Sequence, residues 1–376
     1  MPRTLRTLRD RGLVRAGLRP AIAHVRPTRT IEMSVAAARP GYHWQVVRPA
    51  QAPDGAAPIQ FGPRAADFAS RAEPIPDLGV LSAPDLIVVG PHGLVLTPAG
   101  ELLADTSFWH GYPEGLPRTP ATPVRRVRGT LVSLMSDFAT ANYGHFLMDS
   151  LPRLSLLEGA GVSLADADHI YCGVPHPRVA NLLDELGVPR ERRIYAQRGE
   201  AIRADHVVVT SYPGGRRNYP PWVPDFLRER LSVEAGPATR RLYIPRTHQR
   251  RVLNIDELMP ILVEHGFEVF EPTGAEDSRH AFAEASVVIG GHGAGLASVA
   301  FCRPGAVVLE LLPDSHVMPF YATLSLAARL RYGYLMGEGA PVTDGRSRSS
   351  WDYRVDPVVF RDAIESTVRY VTDMPR

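Results

Sequence analysis

The stretch SVVIGGHGAGLASVAFCRPGAVVLELLP, residues 286–313, decides the fold. An unbroken apolar run, SVVIGG, gives way to a glycine-rich loop. A helix-like segment, GLASVAFCRPG, follows and ends at glycine, and a second apolar run, AVVLELLP, comes after it. Apolar runs without alternation are strands covered on both faces, and two of them joined by a helix make a parallel β-α-β unit. Small residues at the first junction let a ligand approach the backbone. The free N–H groups of the next helix add partial positive charge, so the junction suits a diphosphate. A tight turn that uses glycine only for its dihedrals is the competing reading. His292 separates the two, because packing does not require a large polar side chain inside a glycine turn; it is placed to donate to a phosphate or a ribose hydroxyl.

Three familiar loops are excluded. Gly291, Gly293 and Gly295 alternate and position 296 is Leu, so the dinucleotide fingerprint G-x-G-x-x-G does not fit. No G-x-S-x-G nucleophile elbow occurs. All 42 basic residues are Arg, so no phosphate loop with its obligatory Lys exists.

Working outward, the same alternation recurs. GTLVSLM reads as a strand from residue 129, NYGHFLMDSLPRLSLLEGAG as a helix, DHIYCGV as a strand, HPRVANLLDELGV as a helix and DHVVVTSY as a strand. The turn-rich PGGRRNYPPWVP, residues 213–224, connects this unit to a helix near Asp225–Val233. RRLYIPR, a helix after Asn254, GFEVFEP, the helix AEDSRHAFAEA and the opening stretch then form a second unit, with AVVLELLP as its last strand. DLIVVGPHGLVLTPAGELLADTS, residues 85–107, reads as a strand meander with glycine turns. The expected fold is α/β with two Rossmann-like domains. An irregular basic region covers 1–80, a first domain 81–235, a second domain 236–335, and a tail 336–376 whose helix packs back on the first domain. A length of 376 residues agrees with about two domains.

Composition narrows the function by exclusion. With 44% hydrophobic and 22% charged residues and a net charge of +2, the chain is neither disordered nor strongly cationic. The 40 acidic residues offset the arginines and no nucleic-acid motif occurs, so a nucleic-acid partner is not expected. Cys172 and Cys302 show no metal spacing, and the expected setting is reducing and cytoplasmic. The first thirty residues lack the apolar core of a signal peptide. Their leucines, Leu5 to Leu18, alternate with arginines as a basic tail compatible with contact at the inner face of a membrane.

Two further clusters carry chemistry. In YIPRTHQRRVLNIDELMPILVEHGF, residues 243–267, Arg246 ends a strand, Arg250 and Arg251 follow, and Asn254 caps the next helix; guanidinium forks at a strand's carboxyl end suit phosphate. A solvated arginine loop is the plainer reading. In NYGHFLMDSLPR, residues 142–153, His145 and Asp149 are four apart on one helical face, where an imidazole and a carboxylate form a general base. Here the plainer reading makes Asn142 a cap and Asp149 a surface acid. Asp166-Ala-Asp168 precedes a strand instead of following one, which argues against a metal-diphosphate site. Tyr219 and Trp222 read as cover for apolar surface.

Taken in order, N-x-x-H-x-x-x-D, R-x-x-x-R with Asn four residues on, HGAG, and a strand ending in Glu resemble glycosyltransferase family 61 over about residues 85–335. That family includes bacterial capsular polysaccharide transferases, plant xylosyltransferases and O-linked N-acetylglucosaminyltransferases. The resemblance implies a GT-B architecture and inverting, metal-independent transfer from a UDP-sugar donor to a glycan hydroxyl. It maps Asp149 and His145 as catalytic residues. Asn142, Arg246, Arg250, Arg251, Asn254, His292, Gly293, Ala294, Gly295 and Glu310 map to substrate binding. Within the mapping Asp149 takes the acceptor proton, with His145 assisting, and Glu310 binds ribose or orients His292. The chain departs from the pattern at Arg251, an extra arginine beside Arg250, and at Ser278, where many relatives carry Gln. The alternative function is a non-catalytic subunit that binds a nucleotide-sugar or glycan within a polysaccharide assembly.

Overall fold

The computed structural model describes residues 24–25, 27–52, 58–68, 73–108, 122–140, 142–172, 177–194, 199–215, 217–272, 275–341, 345 and 347–373. The basic tail, Leu5 to Leu18, lies outside them. The fold is mixed α/β and is organised by two sheets.

In the first sheet Arg193–Ile194, His169–Tyr171, Thr122–Ser133 and Ala201–Thr210 run parallel in that spatial order. Leu131, Val132, Val207 and Val209 are buried, as expected of strands covered on both faces. The far edge of Ala201–Thr210 is shared. Its first residues pair antiparallel with Ile87–Val89, which opens the expected meander through Leu94–Leu96 and Glu101–Leu103. Its last residues pair antiparallel with Leu78–Pro84, which in turn carries His43–Arg48.

In the second sheet Glu268–Val269, Arg240–Ile244, Ala285–Gly291, Val307–Pro313 and Arg331–Gly339 are parallel, with Ile59–Phe61 added beyond the last. Every residue of Ala285–Gly291 and Val307–Pro313 is buried. One apolar core runs through both sheets and the helices Arg153–Gly159 and Trp222–Arg230 between them.

Several expectations are corrected. AVVLELLP is not the last strand, since a helix Phe320–Ala327 and the strand Arg331–Gly339 follow it. That helix has only eight residues and apolar groups on most sides, and RYGYLMGEG carries three glycines, so neither shows a clear period. Residues 142–161 are not one helix. A turn at Tyr143–His145 widens into a π segment, Phe146–Ser150, and Arg153–Gly159 follows. Pro152 has no N–H to continue the ladder, and Leu151 N donates to Phe146 O instead, at 3.1 Å. Ala294–Phe301 is a 3₁₀ helix, opening with Leu296 N on Gly293 O. The terminal helix Pro357–Asp373 packs on Ile255–Glu264 and the second sheet, not on the first domain, because Phe360, Ala363 and Ile364 fill a separate core with Leu258 and Leu262. No described helix is long and apolar enough to cross a membrane.

Candidate active site

Five parallel strands deliver their following loops to one place. Thr122–Ser133 leads to His145, Ala201–Thr210 to Arg217 and Tyr219, Arg240–Ile244 to Arg250, Ala285–Gly291 to His292, and Val307–Pro313 to His316. The carboxyl ends of parallel strands are where α/β folds gather ligand-binding loops. Here they enclose a cavity of about 220 Å³, walled by the three histidines, Arg217, Arg250, Tyr219 and Phe320 among others.

His145 and Asp149 form the first constellation. Asn142 caps the turn by accepting from His145 N at 3.3 Å, which fixes the ring's starting point. The π segment carries Asp149 under the ring, where His145 Nδ1 donates to Asp149 Oδ2 at 2.7 Å. Tyr219 donates its hydroxyl to the other oxygen, Oδ1, at 2.9 Å. Asp149 has no exposure, whereas the His145 side chain retains 20%. The imidazole therefore stands in the cavity wall and the carboxylate behind it. A carboxylate only accepts, so Nδ1 bears the hydrogen and Nε2 is the nitrogen left for a ligand. Burial disfavours the charged ring, but the charge and hydrogen bond of Asp149, with Asp137 beyond, outweigh it and raise the pKa of His145.

Arg153 anchors this arrangement from below. Fully buried, it donates to Asp149 O at 3.0 Å, Thr210 O at 3.1 Å and Thr106 O at 2.7 Å. Burial lowers its pKa to about 10, against the pull of Asp137 and Asp149.

A second constellation repeats the first from the other sheet. His292 Nδ1 donates to Glu310 Oε1 at 2.6 Å, and Tyr332 donates to Glu310 Oε2 at 2.5 Å. Glu310 is also wholly buried, inside its strand, and stands behind His292 as Asp149 stands behind His145. Phe320 lies between the two imidazoles, with ring centroids 5.8 Å from His145 and 6.4 Å from His292.

The arginines are held without neutralisation. Arg246 donates only to Gln249 O, and Arg250 to His292 O and Ser349 O; neither has a carboxylate partner among the described residues. Burial lowers the pKa of both. Charges withdrawn from water with no counter-ion mark a seat for an anion. Gly293 makes room for one of them, since a Cβ there would lie 1.6 Å from Arg246 Nη1. Tyr321 pins the same loop by donating to Gly293 O at 2.5 Å. Arg246, Gly291, Gly295 and Ser298 line a groove of about 400 Å³ on the far side of the loop, and Ala294 lines both spaces. Backbone strain gathers here too. Of five described non-glycine residues with positive φ, Phe138, Arg217 and Arg250 line the cavity.

Two predicted residues stand apart. Arg251 is paired with Asp352 at 2.7 Å and does not line the cavity. Asn254 does not cap its helix with its side chain; it donates to Val355 O at 2.7 Å and accepts from Val355 N at 3.0 Å, fastening the terminal segment. The sequence reading passed over Arg217, His316, Phe320 and Tyr332 and took Tyr219 as cover for apolar surface, although the aromatic and arginine content of GGRRNYPPW was a signal. Asp168, half of the D-x-D decoy, accepts from Thr130 N at 2.8 Å. No cluster of three metal-ligating side chains occurs among the described residues.

Residues 143–309 match the family model Glycosyltransferase 61. The resemblance to glycosyltransferase family 61 is borne out over this stretch. The stretch holds His145, Asp149, Arg217, Tyr219, Arg246, Arg250 and His292, while Glu310 lies one residue beyond it. The chain is also similar to beta-1,2-xylosyltransferase XAX1 of Oryza sativa subsp. japonica, 33% identical over 147 residues. That alignment covers 36% of this chain and 25% of the rice protein.

Proposed function

We propose that the chain is an inverting glycosyltransferase of GT-B type that moves a sugar from UDP to a glycan hydroxyl. The observation that carries the reading is one cavity in which a carboxylate-backed imidazole faces arginines that lack counter-ions among the described residues. The nucleoside occupies the groove beside Arg246, the diphosphate lies over the glycine loop, and the sugar enters the cavity. The acceptor oxygen attacks the anomeric carbon as His145 Nε2 takes its proton. The bond from that carbon to the phosphate oxygen breaks, and its electron pair leaves with UDP. Arg246 and Arg250 meet the charge growing on the diphosphate, and His292 donates to it from Nε2. Metal independence is part of the proposal and rests on the two arginines.

The similarity to a named xylosyltransferase supports a glycan acceptor. A role in surface or capsular polysaccharide synthesis at the cytoplasmic face of the membrane extends the family resemblance. The test is release of UDP from a panel of UDP-sugars with oligosaccharide acceptors and no divalent metal. One donor is expected to turn over, and His145→Ala to slow it at least about a hundredfold. A protein that binds UDP-sugars but never releases UDP would instead be a non-catalytic binding subunit.

A further inference from the structure

A UDP-sugar carries two negative charges on its diphosphate, and Arg246 with Arg250 match them. The cavity holds a third guanidinium that the diphosphate does not require. Arg217 lines the same wall as Arg250 and His292, and its side chain has no hydrogen-bond or carboxylate partner among the described residues. Its Nε is buried and unpaired. A polar nitrogen withdrawn from water in this way is costly unless a ligand satisfies it.

Arg217 is also fixed in place. It adopts φ 60°, a left-handed conformation that a side chain with a Cβ seldom takes. Thr323 Oγ1 donates to its carbonyl at 3.0 Å. Gly215 bridges to Asn218 just beside it, and Asn218 Nδ2 is tied to Glu73 O at 2.9 Å. Strain held by surrounding bonds is a feature of binding sites. Among the described residues no Asp or Glu lines the cavity, because Asp149 and Glu310 are sealed behind their histidines. His316 shows the resulting field: burial, followed by His292, Arg250, Arg217 and Arg246, lowers its pKa to about 3.

We infer that the cavity binds a second anionic group, a carboxylate borne by the transferred sugar or by the acceptor, through Arg217. The planar fork of arginine suits a carboxylate bidentately. The inference rests on the proposed function and names its substrate class as acidic.

The experiment is calorimetric titration of the full chain. One arm compares UDP, UDP-glucose and UDP-glucuronate. The other, with UDP present, compares an oligosaccharide containing glucuronate with its neutral counterpart. In one arm the acidic ligand is expected to bind about ten- to a hundredfold tighter than the neutral one. Arg217→Asn, whose side chain tolerates the left-handed backbone, removes that preference and leaves UDP affinity within about threefold, and Arg217→Lys keeps part of the preference. Equal affinities for acidic and neutral ligands in both arms of the wild-type titration overturn the inference without any variant. So does a preference that survives Arg217→Asn, or an equal loss of UDP binding in that variant, which assigns Arg217 to the diphosphate. A wild-type protein that binds no UDP overturns the proposed function itself.

Discussion

His145 and His292 face one cavity from opposite sheets, and each is held through Nδ1 by a carboxylate with no exposure. Tyr219 and Tyr332 complete the repeat by donating to the second oxygen of each carboxylate. The same local chemistry thus serves two ends of the proposed reaction. One imidazole accepts a proton, and the other donates to a phosphate.

The first prediction concerns pH. Turnover needs His145 neutral, so activity falls as pH drops through its raised pKa. Asp149→Asn removes the charge that raises it, and the acid limb of the rate profile moves to lower pH while turnover falls about 10²- to 10⁴-fold. The linked stability has the opposite sense. The His145–Asp149 attraction is fully present below the unfolded imidazole value of about 6.5 and is lost as pH rises through the folded value. Rate profiles and melting curves of both proteins between pH 5 and 9 check this. An acid limb that does not move excludes the proposed coupling.

Tyr332→Phe leaves Glu310 Oε2 buried without its donor. The expected cost is about 1–3 kcal/mol of stability, together with weaker donor binding as His292 loses its fixed orientation. Thermal melting and UDP titration measure the two effects separately. A variant that melts earlier but binds UDP normally restricts Tyr332 to a structural role.

Gly293→Ala drives a methyl group into the Arg246 guanidinium. The backbone there is extended, at φ 173°, so the substitution costs little conformational strain and acts through the displaced arginine. UDP affinity is expected to fall at least about tenfold while the melting temperature changes little. Undiminished affinity would show that Arg246 is not a ligand of the diphosphate.

Away from the site, Asp105 accepts from Met33 N through both oxygens at 3.0 Å, yet burial raises its pKa to about 6. An acid whose folded pKa is raised costs stability as pH climbs from its unfolded value of 3.8 to that folded value. Asp105→Asn should therefore stabilise the protein by about 3 kcal/mol at pH 7.5 and have no such effect near pH 3.5. Chemical denaturation at the two pH values tests the sign.

Much of the α/β alternation was legible because buried parallel strands are unbroken apolar runs, as in SVVIGG and AVVLELLP. The His145–Asp149 pair was legible from its spacing, since a π turn still stacks residues four apart. The burial of Asp149 behind the ring was not, because it depends on Tyr219 arriving from another loop. Arg217 and Tyr332 escaped for a related reason. Each acts through tertiary neighbours, Thr323 and Glu310, that local pattern does not encode. Asn254 misled because an asparagine before a helix is ordinarily a cap, and here Val355 claims both ends of its amide.

The measurement that tests the central claim most directly is titration of UDP, GDP, CMP and NAD into the metal-free protein and into Arg246→Ala/Arg250→Asn. The account predicts selective binding of UDP that the double variant loses while keeping its fold by thermal melting. Absence of UDP binding to the wild-type protein, or binding unchanged in the variant, would contradict it.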